Sequence, residues 1–108
     1  MLYKNFGDLR LSALGLGMMR LPKSGNGDGD IDEAKAAEMV DYAIRNGVNY
    51  FDTAYGYHGG KSEIVTGRIL SRYPRESYHL ASKFPGYDAA NLERIPEIFE
   101  EQLKKCGV

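Results

Sequence analysis

The 108-residue chain has one cysteine, no tryptophan, four prolines and two histidines, and the first and last of these scarcities each close off a class of function. A lone Cys106 cannot form an internal disulfide, so this is not a cross-linked secreted scaffold. His58 and His79 have no second ligand three or four residues away and no cysteine at metal-site spacing, so a metal centre has no support. Charge of one sign is missing too. Fourteen Lys and Arg against fifteen Asp and Glu leave a net charge of −1, which provides no field to gather nucleic acid or an anionic membrane. No apolar run approaches the ~18 residues of a membrane span, and the start MLYKNFGDLR lacks the apolar stretch of a secretory leader. The expected setting is the cytoplasm, with neither a nucleic-acid nor a membrane partner.

Glycine, by contrast, is abundant: thirteen in 108 residues is about 12% against a usual ~7%, which predicts frequent tight turns. Between these turns, apolar strand-like runs alternate with helical periodicity. Leu2 to Phe6 and Leu9 to Ser12 flank Gly7-Asp8 as a small hairpin, and the apolar run Ala13 to Met19 reads as the first main strand. KSGNGDGD, residues 23–30, is a flexible loop. From Asp32 to Asn46, Ala36, Met39, Val40, Ala43 and Ile44 recur at spacings of three and four, which predicts an amphipathic helix capped by Asp32 and stopped at Asn46-Gly47. Val48 to Thr53 is the second strand, a helix capped by Ser62 runs to Leu70, and Tyr78 to Phe84 is the third strand. A last helix spans Ile95 to Lys105, with Pro96 in its first turn and Ile95, Phe99, Leu103 and Cys106 on one face. Val40, Ile44 and Phe99 are read as core positions. Three βα units in series predict an α/β fold with a parallel sheet and right-handed crossover helices.

Three near-motifs fail on spacing. Gly15-Leu16-Gly17-Met18-Met19-Arg20 follows a strand as a dinucleotide fingerprint should, but Arg20 stands where the third glycine is needed for close helix packing. Gly59-Gly60-Lys61-Ser62 resembles the end of a phosphate loop, but the required upstream glycine is Tyr55. A calcium loop starting at Asn26 would put Ile31 at the obligatory glycine and Ala37 at the bidentate carboxylate.

Chemistry is better supported at the strand ends. Asp52 closes the second strand and Lys83 lies at the end of the third, and a parallel sheet delivers both to one rim. Tyr57, five residues past Asp52 in the glycine-flanked turn YGYHGG, would swing its phenol over that rim. A phenol with an ordinary pKa of ~10 becomes a useful acid when a nearby cation stabilises its phenolate. Lys83 is that cation, held by Asp52, and the trio is a candidate proton-transfer unit. The plainer alternative is a structural ion pair beside one of eight tyrosines.

FDTAYGYHGGKSE (51–63), preceded by RNGVNY and followed by LASKF (80–84), resembles the amino-terminal part of an aldo-keto reductase. The hairpin and GLGMMRLP are similar to the family's start, so the likeness covers essentially the whole chain. The resemblance implies an NAD(P)H-dependent oxidoreductase on a (β/α)8 TIM barrel, reducing the carbonyl of a small-molecule substrate by hydride transfer. It implies Asp52, Tyr57 and Lys83 as catalytic residues, with Tyr57 the general acid, and Gly17, Met18, Met19, Arg20 and Asp52 as neighbours of the cofactor. NADP(H) is the implied cofactor, with NAD(H) as the alternative. YHGGKSE also resembles a bacterial or archaeal subgroup whose members sometimes carry an iron–sulfur module at the far end, which these residues do not include.

A full barrel takes ~250 residues, so residues 1–108 are expected to form a single partial domain, about three of eight βα units. The family's catalytic histidine would lie beyond Val108. With unpaired sheet edges, the isolated chain is expected to self-associate, aggregate or stay molten unless remaining barrel units cover it, and to show no turnover alone. Two other readings stand beside carbonyl reduction: a non-catalytic, partner-binding barrel fragment and a small α/β binding domain.

Overall fold

The computed structural model describes all of residues 1–108. The chain opens with an antiparallel hairpin, β1 (Tyr3–Phe6) and β2 (Leu9–Ser12), turned at Gly7 with φ +58°. The main sheet follows as β3 (Leu16–Gly17), β4 (Tyr50–Asp52) and β5 (His79–Ala81), all parallel and in sequential order. Helix α1 (Glu33–Arg45) joins β3 to β4, α2 (Lys61–Leu70) joins β4 to β5, and α3 (Ile95–Cys106) follows β5. Strands that succeed each other on one side without reversal wind as a barrel does, not as a doubly wound sheet.

The sheet is thinner than its apolar runs predict. Ala13 leaves it because its N–H donates to Leu2 O in the hairpin, and Ser12 N–H donates to the Asn49 side chain. Beyond the regular strands the ladder continues loosely, with Met18 N–H to Asp52 O at 2.8 Å and Thr53 N–H to Ala81 O at 2.8 Å. Leu16, Phe51 and Leu80 lie side by side in register, as do Gly17, Asp52 and Ala81. Alternation along a strand sends these two rows to opposite faces. Phe51, fully buried, points into the core with Met18, Leu21, Val40, Ile69 and Leu70, between the sheet and helices α1 and α2. The other row faces the side that a closed barrel encloses. Only 22 of 108 residues are buried, and the molecule measures 41 × 38 × 21 Å, a wedge cored on one face of its sheet.

Helix α1 forms as its periodicity predicts: Asp32 Oδ1 accepts from Lys35 N–H at 3.1 Å, and Gly47 turns the chain out of the helix at φ +93°. Two expectations are corrected. Ser62 does not cap α2. The helix begins at Lys61 after a left-handed Gly60, and the Ser62 hydroxyl turns inward, donating to Met18 O at 3.0 Å and lying 2.8 Å from Thr53 Oγ1. Phe99 is not core. Helix α3 packs on α2 through Ile98, Gln102 and Cys106, leaving Phe99 54% and Ile95 47% exposed. Phe99 and Leu103 instead line a groove of about 250 Å³ with Leu80, Phe84 and Val108, beside the free edge of β5. No helix is long and apolar enough to cross a membrane.

Candidate active site

At the carboxyl rim of the sheet, Lys83 meets the other two residues of the trio. Its ammonium hydrogen-bonds Asp52 Oδ1 and, at 2.9 Å, Thr53 O, and stands 4.8 Å from the centroid of the Tyr57 ring. Each is delivered by a separate piece of local structure. Asp52 ends β4 on the row facing away from the core. Lys83 lies two residues past β5, tied down by Tyr55 N–H donating to its carbonyl at 3.3 Å. Tyr57 opens a tight turn, Tyr57–Gly60, with its N–H on Ala54 O. Gly56 precedes this turn, with the hydroxyl of the exposed Tyr87 lying 2.9 Å from where a Cβ on Gly56 would stand.

The rim is open: the Asp52 side chain is 38% exposed and that of Lys83 49%. None of the molecule's four cavities is lined by Asp52, Tyr57 or Lys83. Partial burial works against the Lys83 charge, but the Asp52 carboxylate and the Tyr57 phenol outweigh it, and the ammonium holds its proton above the usual lysine value. Lys83 is therefore a fixed cation at neutral pH.

Of the residues expected to border a cofactor, Gly17 pairs in register with Asp52, and a Cβ at Gly17 would meet nothing within 4 Å. Met19 and Arg20 are exposed beside it. Together these leave an uncovered ledge next to Asp52. Met18 does not belong to that ledge: its side chain is fully buried in the core, so it shapes the segment from inside. No group of three or more His, Cys, Asp or Glu could hold a metal.

Composition and spacing did not reveal the layer that supports Lys83. Glu63 on α2 is fully buried; its Oε2 accepts from Ser82 Oγ at 2.7 Å and Gln102 Nε2 at 3.0 Å, and Lys105 Nζ lies 3.0 Å from Oε1. The last contact pairs charges without the alignment of a hydrogen bond. Gln102 Nε2 also reaches Lys83 O at 2.9 Å, linking helices α2 and α3 to the strand end. The sequence signal is faint: Glu63 shares its helix stripe with Thr66, Gly67 and Leu70, at i+3, i+4 and i+7, of which only Leu70 is strongly apolar.

Residues 13–108 match the sequence model of the aldo/keto reductase family. The chain belongs to this family. It is 36% identical over 76 residues to the NADH-specific methylglyoxal reductase of Escherichia coli (strain K12), covering 70% of this chain and 23% of that protein. With "Probable aldo-keto reductase 1" of Glycine max it shares 32% identity over 106 residues, 91% of this chain and 30% of the relative. Among solved structures, an aldo-keto reductase from Bacillus halodurans in its holo form superposes with a TM-score of 0.74 at 27% identity, over 98% of this chain and 36% of that one. A thermostable aldo-keto reductase crystallised with the inhibitor epalrestat gives 0.73 at 29% identity, over 100% and 39%. The chain thus spans 23% and 30% of the length of these curated relatives, and its fold is the corresponding part of an aldo-keto reductase TIM barrel.

Proposed function

We propose that these residues carry the proton-transfer half of a site that reduces small aldehydes or ketones, with Tyr57 as general acid, Lys83 as its tuning cation and Asp52 as the anchor of Lys83. The observation behind this reading is the position of one ammonium group, hydrogen-bonded to Asp52 and 4.8 Å from the Tyr57 ring centroid.

A neutral phenol holds its proton at pH 7 and so can donate it; what opposes donation is the phenolate left behind. A protonated lysine at this range lowers the energy of that phenolate, and of the oxyanion the proton reaches, more effectively as the site loses water. Asp52 keeps Lys83 oriented, and Thr53 O takes a further N–H of the same ammonium. Gly17, Met19, Arg20 and Asp52 are the residues that would border the nicotinamide, which, when bound, supplies two electrons to the carbonyl carbon as hydride. The Escherichia coli relative is named for NADH and methylglyoxal, so an α-oxoaldehyde is the first substrate class to offer, with both NADH and NADPH.

The test is turnover of the polypeptide as the cell makes it, followed by loss of reduced nicotinamide. Tyr57→Phe is expected to lower kcat by roughly 10²–10⁴-fold while cofactor affinity stays unchanged. Undiminished turnover in Tyr57→Phe would remove the general acid from this reading.

A further inference from the structure

We propose that His58 is a positioning residue that registers Tyr57 against the rim segment Gly17–Leu21; the inference rests on the carbonyl-reduction reading above. His58 is the one non-glycine residue in the chain with a positive φ, at φ +54° and ψ +42°. Gly59 and Gly60 follow at +62° and +90°, so three successive left-handed residues turn the chain between Tyr57 and α2. Glycine occupies the other two positions without strain, whereas a side chain with a Cβ is disfavoured there and persists when its surroundings hold it. The imidazole is what holds it.

The ring is buried, with the residue only 4% exposed. Its Nε2 accepts from Leu21 N–H at 3.1 Å, and its Nδ1 lies 2.8 Å from Asp28 O. A nitrogen facing an N–H must be the acceptor and one facing a carbonyl must be the donor, which assigns the neutral Nδ1–H tautomer. With both nitrogens engaged by backbone, the ring has no lone pair left for a metal. The Leu21 N–H has no other acceptor, and Leu21 itself is core.

Three segments therefore meet on one ring. Leu21 directly follows Arg20, which with Gly17 and Met19 forms the ledge beside Asp52. Asp28 belongs to the glycine loop, which leaves at Lys23 and returns at Ile31, where the two residues bridge. Tyr57 is joined to His58 by a peptide bond. Without the ring, the turn that carries the phenol and the ledge that borders the reacting carbon lose their direct connection, and a displacement of ~1 Å at such a site can cost on the order of 10²-fold in rate.

His58→Gly and His58→Asn, made in the full-length polypeptide, test this. Glycine suits the left-handed backbone, so the fold is retained while both hydrogen bonds go; asparagine tolerates the same backbone, and its amide N–H stands near the Nδ1 position, where it can keep the bond to Asp28 O. In His58→Gly the amides of Leu21 and residues 23–30 are expected to exchange with solvent at least about tenfold faster. Its kcat should fall by about tenfold or more with carbonyl KM within about threefold of wild type, and His58→Asn should recover part of both losses. Unchanged Leu21 exchange in His58→Gly would overturn the proposal, as would faster exchange at wild-type kcat, which would leave His58 a structural clasp. A wild type whose turnover is indifferent to Tyr57→Phe would overturn the general-acid reading and this role with it; Tyr57-dependent turnover combined with wild-type kcat in His58→Gly would overturn this role alone.

Discussion

The molecule contains two carboxylate–lysine pairs within one another's neighbourhood, and their surroundings are opposite. Glu63 and Lys105 join α2 to α3, with side chains 0% and 15% exposed, and Glu63 is enclosed by Ser82, Gln102 and Cys106. Asp52 and Lys83 join two strand ends, with side chains 38% and 49% exposed and an aromatic ring alongside. The same chemical groups do different work because of solvent. A buried pair is costly to open and loses stability if one partner is removed, so it suits a joint. A pair at the surface contributes little to stability and stays accessible to another molecule, so it can serve a reaction.

The largest expected effect comes from opening the joint. Glu63→Gln keeps the shape but leaves the Lys105 ammonium without its counter-charge, and should cost about 3 kcal/mol in denaturant unfolding. A cost near zero would erase the contrast between the pairs. Gly67→Ala attacks the same joint sterically: a Cβ at Gly67 would lie 2.6 Å from the Cys106 carbonyl carbon, so α3 must shift and draw Lys105 away from Glu63. A loss of about 1–3 kcal/mol is expected by the same measurement.

A pH titration sharpens the comparison further. Burial first, and then the Glu63 charge, push the Cys106 thiol up to about 11 from an ordinary 9.0. The unfolded thiol therefore releases its proton before the folded one, and the Cys106 contribution is intact below about pH 9 and declines as pH rises toward 11. Cys106→Ser should flatten that part of the stability profile. The smallest effect on stability belongs to Asp52→Asn, within about 1 kcal/mol for an exposed pair, although turnover should fall by about tenfold or more as Lys83 loses its anchor. If Asp52→Asn instead destabilises as much as Glu63→Gln, the rim pair is a structural joint and the plainer alternative is right.

Helix α1 was legible because its signals are local: the cap at Asp32, the spacing of Ala36, Val40 and their neighbours, and the stop at Gly47 all lie within a few turns of one another. The meeting of Asp52, Tyr57 and Lys83 was legible because parallel strands deliver their carboxyl ends to one rim. Ser62 misled because a serine before an apolar run is a capping signal, and whether its hydroxyl turns outward or toward Met18 O depends on a segment 44 residues away. Phe99 misled for a related reason. Helical spacing identifies an apolar face but not its neighbour, and α3 meets α2 along Ile98, Gln102 and Cys106.

By itself, the order of residues determined the βα alternation, the helix boundaries within a residue or two, and the delivery of a carboxylate, a phenol and an amine to one rim, because each follows from periodicity or chain direction. Only the tertiary structure decided which charges are buried, which apolar face of α3 is covered, and that His58 joins the glycine loop to Tyr57's turn. Those outcomes depend on contacts between residues far apart in sequence, where desolvation and hydrogen-bond geometry, not local propensity, set the energy.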